Sequence, residues 1–422
     1  MGGTITASLG SWWGAEAVGP DIYQAAYDAI DNSEADYQLN PVLQQQSREL
    51  VAKSGTLVDD FANPDQWKVL AGALTPETDE THGQGPAIRL TTEDDPAVLI
   101  ERAFDEPLDI TQQNLSMWFR HTTQNTPVVR VRLLAPDRDN QVIISQYTDG
   151  HLTEFWRAME WGPTGEVGDP NLQQIERVQL EISTDATNET PQVEPVVLDD
   201  IWSTPNYRTG SAMIIFDDGR ASIENAYEEM GKRNMPGAIA VIPWLLNAPS
   251  QITREQLDEW TTAGWDAVAH PQVEKPLPAY SPDEQRRLIR RTKSWLVANG
   301  FTEGANHIVT PFGIANKQTL SIIADYHATN YVGEGLLSGT PPRDPLTMER
   351  VNVDRSEQAK AQIRRAATYN QLVILTVHTV GNPKDDRIST PKFVELLDLI
   401  EELELNVTTP TRYWSEVLSG TP

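Results

Sequence analysis

The 422-residue chain contains no cysteine. That excludes disulfides and thiolate metal sites, and it leaves the redox compartment unread. Basic residues are scarce, 33 against 61 acidic ones, for a formal net charge of -28. The few cations are mostly arginine, and the acids are spread along the whole chain rather than gathered in a tail. A carboxylate-covered surface of this kind suits a high-salt, halophilic setting. There the Debye length shrinks to about 3 Å at 1 M salt and self-repulsion is muted. The same charge argues against nucleic acid or an anionic membrane as a partner held by bulk electrostatics. No apolar run approaches the ~20 residues of a membrane span, so no membrane insertion is expected. The opening MGGTITASLGSWWGAEAVG lacks a basic segment followed by a long apolar core. The expectation is therefore no Sec signal peptide, and a protein that stays in the cytoplasm or leaves the cell inside a virion.

What is present divides the chain into three. Residues 1–56 hold a Trp12-Trp13 pair, a helix-like stretch from Pro20 to Ile30 and a glutamine-rich run at Gln44, Gln45 and Gln46. So short a segment buries little apolar surface alone. It is read as an extended or helical arm that anchors on the chain's own domains, on a second copy or on other virion proteins. Residues 57–204 read as an all-β sandwich. Short runs at Ala97–Ile100, Ser116–Phe119, Val128–Leu134, Gln141–Tyr147 and Val178–Ile182 are punctuated by Asp, Asn, Pro and Gly. The segment Val129-Arg130-Val131-Arg132-Leu133 alternates apolar and charged residues, as a half-buried strand does. PNYRTG, residues 205–210, reads as a linker.

From 205 to 422 strands alternate with helices, which predicts a βα-repeating domain, barrel-like or doubly wound. Thr253 with Gln256, Ser281 with Glu284, and Asp354 with Glu357 mark helix starts, while Gly264 and Gly300 mark stops. Phe393, Leu396, Leu397, Ile400 and Leu403 make one apolar helix face that belongs in a core. Predicted strands are Ala212–Phe216, Ala238–Ile242, Trp265–Val268, His307–Val309 and Val373–Val377. Chemistry-bearing residues follow four of them. Asp217 and Asp218 come first, then His270, then Pro311-Phe312-Gly313, then His378. In βα barrels the active site forms at the carboxyl ends of the strands, where these residues would meet. His121, His307 and His327 are read as structural or exposed.

These residues carry a resemblance over about half the chain. Residues 211–418 resemble the polysaccharide deacetylase (NodB-homology) domain of carbohydrate esterase family 4. Ile215-Phe216-Asp217-Asp218-Gly219 corresponds to the family's T/S-F-D-D-G motif, and His270-Pro271-Gln272-Val273-Glu274 in part to H-[ST]-x-x-H. Val309-Thr310-Pro311-Phe312-Gly313 corresponds to R-x-P-[YF]-G, and Val373–His378 to the late strand ending in a catalytic histidine. The resemblance implies a distorted (β/α) barrel with Asp217 as general base, Asp218 and His270 as metal ligands and His378 as general acid. The backbone N–H of Phe312 would help hold the oxyanion. A divalent metal is implied, with Zn²⁺ expected and Mn²⁺ admitted by a harder, oxygen-richer site.

Two positions depart from the family pattern. Its second metal histidine is Glu274 here, which is either the third ligand or a solvated residue beside Pro276. Its base-orienting arginine is Val309, and Arg350, in the run ERVNVD, is a candidate replacement that the sequence does not place.

The sandwich, opening VDDFANPDQWKV and closing VVLDDIW, resembles jelly-roll carbohydrate-binding modules at its two ends. On that resemblance Trp118, Trp156 and Trp161 are candidates to stack on sugar rings, against a core role for each, and Asp199 and Asp200 are candidates for a structural Ca²⁺. Two functions stand. One is a hydrolase that removes N- or O-acetyl groups from a surface polysaccharide or glycoprotein glycan. The other is a deacetylase-shaped glycan-binding protein whose site has decayed. In either case the arm, sandwich and acidic surface point to a tail or receptor-binding component of a halophilic virus, and to a homo-oligomer.

Overall fold

A computed structural model describes residues 55–419, apart from 83–84, 93–96, 122–126, 148–155, 185–194, 207–208, 336 and 383–386. The anchoring arm assigned to residues 1–56 lies outside the described residues except for its last two.

Twelve strands form the first unit: β1 (Thr56–Asp59), β2 (Lys68–Ala71), β3 (Ala73–Glu77), β4 (Ala87–Thr91), β5 (Ala97–Leu108), β6 (Gln113–His121), β7 (Pro127–Leu134), β8 (Gln141–Tyr147), β9 (Arg157–Glu160), β10 (Gly165–Val167), β11 (Ile175–Thr184) and β12 (Val196–Pro205). They make two antiparallel sheets. One runs β3-β4-β12-β6-β9 with β1 on β12, the other β10-β8-β7-β11-β5-β2. The alternation in β7 sets its two faces. Val129, Val131 and Leu133 enter a shared core with Ile88, Met117, Phe119 and Leu180. Arg130 and Arg132 stand outside, both paired to Glu181 at 2.5 Å. Asn206, within the predicted linker, is buried rather than loose. Its side chain accepts from the Thr340 hydroxyl at 2.6 Å and donates to the Tyr369 carbonyl at 3.2 Å.

The second unit is a parallel barrel of β13 (Ser211–Phe216), β14 (Ala238–Val241), β15 (Asp266–Ala269), β16 (His307–Val309), β17 (Thr329–Glu334), β18 (Met348–Asn352) and β19 (Leu372–Val377). Each pairs with the next, and β13 pairs with both β19 and β14, which closes the ring at seven strands. A further strand, β20 (Asn406–Thr408), pairs with the first half of β13, at Ser211–Met213, and β14 takes its end, at Ile215 and Phe216. The outer helices are α1 (Ile223–Gly231), α2 (Arg254–Thr262), α3 (Pro282–Ala298), α4 (Lys317–Ala324), α5 (Ser356–Thr368), α6 (Thr390–Glu402) and α7 (Pro410–Ser419). Capping boxes open α2 at Thr253 and α3 at Ser281. The Asp354–Glu357 cap does not form. α5 starts after Arg355 without a side-chain cap, because Asp354 turns its carboxylate to Arg387 at 3.5 Å.

Period-two alternation decides what enters the barrel. Ala212, Ile214 and Phe216 face the helices, with Phe393, Leu396, Leu397 and Ile400 of α6. Met213 and Ile215 face inward with Ala238, Ala240, Val268, Val309, Tyr331, Met348 and Ile374, and Tyr413 and Trp414 of α7 join this inner core. Carried two residues further, the inward parity reaches Asp217, His270, Arg350 and, through Thr376, His378.

The two units meet on polar contacts. Arg157 of β9 pairs with Glu349 of β18 at 2.8 Å, and Gln371 donates to the Trp161 carbonyl at 3.1 Å. Glu160 accepts the N–H groups of Gly339 and Arg343. Burial pushes its carboxyl up to about 7, with those two donors working the other way.

His121, His307 and His327 are all buried. Burial pushes His307 down to about 3 and His327 well below the ordinary imidazole range. The unfolded chain takes up protons at these positions below about pH 6.5 while the folded one does not. These two histidines therefore contribute a loss of stability as pH drops below about 6.5, by about 1.4 kcal/mol per unit for each, against the opposite trend of Glu160, whose raised carboxyl favours the folded state as pH falls. Urea unfolding at neutral pH and near pH 5 isolates their share by comparison with His307→Gln, whose stability relative to the parent should rise as the pH is lowered. A difference between parent and His307→Gln that is the same at both pH values overturns this account.

Candidate functional site

β13 ends in a reversal that separates its two acids. Asp217 is still on the ladder, its N–H donating to the Val377 carbonyl at 2.8 Å. Asp218 and Gly219 then both take left-handed backbone, φ 68° and 63°. Asp tolerates that region better than most residues, and Gly enters it freely. Asp217 consequently points into the barrel and is buried, while Asp218 lies on the cavity wall, one-quarter exposed.

Arg350 reaches across from β18 and places Nη1 at 2.8 and 2.9 Å from the two oxygens of Asp217. Both side chains are buried. The guanidinium missing at position 309 is thus supplied from the neighbouring arc of the barrel, while Val309 fills the inner core. His378 stands on the other side, with Nε2 3.9 Å from Asp217 Oδ2. His270 donates from Nδ1 to the Val309 carbonyl at 2.9 Å, which turns Nε2 toward Asp218 at 3.5 Å. Burial opposes charge on both. For Asp218 the His270 contact and the charges of His270 and Arg220 outweigh it, holding the carboxyl far below its usual range. For His270, Asp218 and Asp217 outweigh burial and raise the imidazole.

The turn after β16 supplies the N–H. Phe312 sits at φ 61° with its ring 61% exposed, and among the described residues its N–H meets no backbone acceptor. Gly313 follows at φ 69°, where a Cβ would lie 2.6 Å from the backbone of Gly333. Only glycine lets this turn rest against β17. Together these residues line an open cavity of about 1070 Å³ at the carboxyl ends of the strands.

The three-ligand metal set does not assemble. Glu274 is exposed, takes no part in lining the cavity, and its N–H donates to the Tyr280 hydroxyl at 3.1 Å. Pro271 carries the chain away from the strand end, so the four-residue spacing does not bring position 274 back over His270. Arg220 places Nη2 3.2 Å from Asp218 Oδ2. Among the described residues no trio of His, Asp or Glu gathers around an ion position. Asp218 and His270 are two donors, and a catalytic zinc ordinarily has three protein ligands. The residues present therefore do not fit a tightly held Zn²⁺.

The sandwich candidates lie elsewhere. Trp161 is 5% exposed and belongs to the sandwich core, so it presents no face to a sugar. Trp118 is covered by His82, stacked at 3.8 Å, with Arg343 5.8 Å from the ring. Trp156 is half-buried and meets the same His82 edge-on. None of the three lines the cavity. Asp199 is buried and accepts the His82 N–H at 2.6 Å, and no third acidic ligand for Ca²⁺ gathers beside it and Asp200 among the described residues. Burial, with Asp199 alongside, pushes Asp200 up to about 6.

A sequence model of the family described as Polysaccharide deacetylase matches residues 205–331. The matched stretch carries Asp217, Asp218, His270 and Phe312 and stops short of Arg350 and His378. Comparison with curated proteins gives no match. Among solved structures, the chain is similar to the Streptococcus pyogenes deacetylase PplD in complex with acetate, at 23% identity and TM-score 0.29, covering 33% of this chain and 62% of that one. It thus spans less than two thirds of that deacetylase. It is also similar to a family 4 acetyl xylan esterase from Clostridium thermocellum in complex with a cobalt ion, at 15% identity and TM-score 0.33, over 50% and 92% of the two chains. A family 11 carbohydrate-binding module from Clostridium thermocellum, in complex with a mixed-linked tetrasaccharide, is similar at 11% identity and TM-score 0.28, over 36% and 96% of the two chains.

Proposed function

We propose that the barrel cavity removes acetyl groups from a glycan by hydrolysis. The observation that carries the reading is the buried Arg350–Asp217 pair with His378 beside it, at the floor of an open cavity. The Polysaccharide deacetylase match over the preceding stretch supports it. Held in one orientation by Arg350, Asp217 takes a proton from water as its oxygen attacks the acetyl carbonyl carbon. The oxyanion of the tetrahedral intermediate accepts the Phe312 N–H. His378, protonated, gives its proton to the sugar oxygen or nitrogen as the C–O or C–N bond breaks, leaving acetate and a free hydroxyl or amine.

The position of Glu274 favours a second reading, in which the same cavity holds a glycan without turnover. Acetate release from acetylated polysaccharides in high salt, with and without added Zn²⁺ or Mn²⁺, separates the two. We expect release from the parent, loss in Asp218→Ala and no change in Glu274→Ala, because Glu274 stands outside the cavity. No release under any of these conditions, with glycan still bound, moves the protein to the second reading.

The acidic composition supports a high-salt setting, and the length of the N-terminal arm supports attachment to a virion or to further copies of the chain. A monomer in solution with a protease-sensitive arm would count against that attachment. Among the described residues no helix is long and apolar enough to cross a membrane.

A further inference from the structure

A cation follows the two acids of β13. Arg220 comes two residues after Asp218, and its side chain doubles back to place Nη2 3.2 Å from Asp218 Oδ2. The backbone that aims it is pinned on both sides. Gly219 accepts the Ile252 N–H at 2.9 Å, the Ala221 N–H donates to the Ser250 carbonyl at 3.0 Å, and Arg220 itself forms an antiparallel bridge to Gln251. His270 brings Nε2 to 3.5 Å from the other oxygen, Oδ1, its ring fixed by the Val309 carbonyl. Each oxygen of Asp218 therefore faces a nitrogen of the chain. Glu274, the acid that would complete a metal set, is outside the cavity, whereas Arg220 lines it. A position that is short of one ligand and already carries a fixed positive charge is poorly suited to a divalent cation.

We infer that Arg220 stands in for the metal: its guanidinium is the counter-charge to Asp218, keeps a divalent ion off Asp218 and His270, and gives the cavity a positive group that does not depend on metal supply. The exclusion follows from these contacts. Its consequence, a hydrolysis that needs no added metal, rests on the reading of the cavity as a deacetylase site. Guanidinium stays charged at any working pH, so the exclusion holds across the pH range. To bind, a divalent ion must displace the guanidinium from Oδ2 or sit beside it against its repulsion. The Arg220 side chain is 43% exposed, so the pair is partly screened. Its removal should therefore change metal affinity by about one order of magnitude rather than by many.

Isothermal titration of the full chain with Zn²⁺ and, separately, with Mn²⁺ tests this. Asp218→Asn is titrated alongside, to subtract ions that gather on the acidic surface, and parent and Asp218→Asn should take up the ions alike. Arg220→Ala should bind at least one of the two ions about tenfold tighter than the parent. The gain should vanish when Asp218→Asn is added to Arg220→Ala. Arg220→Lys keeps the charge and should behave as the parent. Melting temperatures show that the variants fold. Ion binding at Asp218 in the parent, or no gain in folded Arg220→Ala, overturns the inference. Acetate release is the second readout, and release from the parent should be the same in EDTA as in added Zn²⁺ or Mn²⁺. A gain of metal in Arg220→Ala with no acetate release from the parent under any condition would sink the hydrolase reading and leave the exclusion standing. Release from the parent that EDTA abolishes would do the reverse.

Discussion

Arg350→Ala lowers the unfolding free energy by about 3–5 kcal/mol, the cost of leaving a buried charge without its partner. Asp217 is 5% exposed at the floor of the cavity, and Arg350 supplies its two short hydrogen bonds. Removing the guanidinium strands the carboxylate at the bottom of the barrel. The double variant Asp217→Asn with Arg350→Met carries no stranded charge and should recover most of the loss, since a buried ion pair replaced by neutral groups is often near neutral in stability. Arg350→Lys keeps the charge but not the fork, and falls between. Urea unfolding of the four proteins measures all of this. If Arg350→Ala stays within about 1 kcal/mol of the parent, the pair does not have the cost that burial assigns to it.

Asp217→Asn and His378→Gln should each lower the rate of acetate release by about 10²–10⁴-fold, the usual range for a positioned base or acid. One takes the proton and the other returns it within a single turnover, so the double variant should be little slower than the worse single one. The split between kcat and KM is informative. Neither side chain is assigned to sugar binding, so the loss should fall on kcat. A loss confined to KM would mean that these residues hold the glycan rather than act on it.

The site was legible in the sequence where apolar runs ended abruptly in acids or histidines. Asp217, Asp218, His270 and His378 each follow a buried strand, and the structure brings all four to one cavity. Arg350 was harder to place because β18 is short and polar. Its signal was present in the alternation of Val351 and Val353, which face out, with Arg350 and Asn352, which face in. β17 was hidden for a related reason. Thr329 and Asn330 are buried there but satisfied, by His307 at 2.8 Å and by Thr310 at 2.6 Å, so no apolar run announces the strand. Glu274 could not be placed from spacing alone. A four-residue interval brings two side chains together on a helix, but the chain after His270 is irregular and carries position 274 into solvent. The tryptophans of the sandwich were ambiguous because an aromatic residue fits equally well in a core and on a sugar, and only its neighbours decide.

Glu349 and Arg350 are adjacent on β18 and so point in opposite directions, one to Arg157 of the sandwich, the other to Asp217 inside the barrel. A single peptide unit joins the domain seam to the barrel cavity. Cutting the chain between the sheets and the barrel would therefore do more than remove an accessory module. It would free Glu349 to solvent and loosen the strand that aims the arginine. The barrel half is in this sense not portable. A lineage that shuffled it into another protein would have to bring the sandwich along or rebuild what presses on β18 from outside.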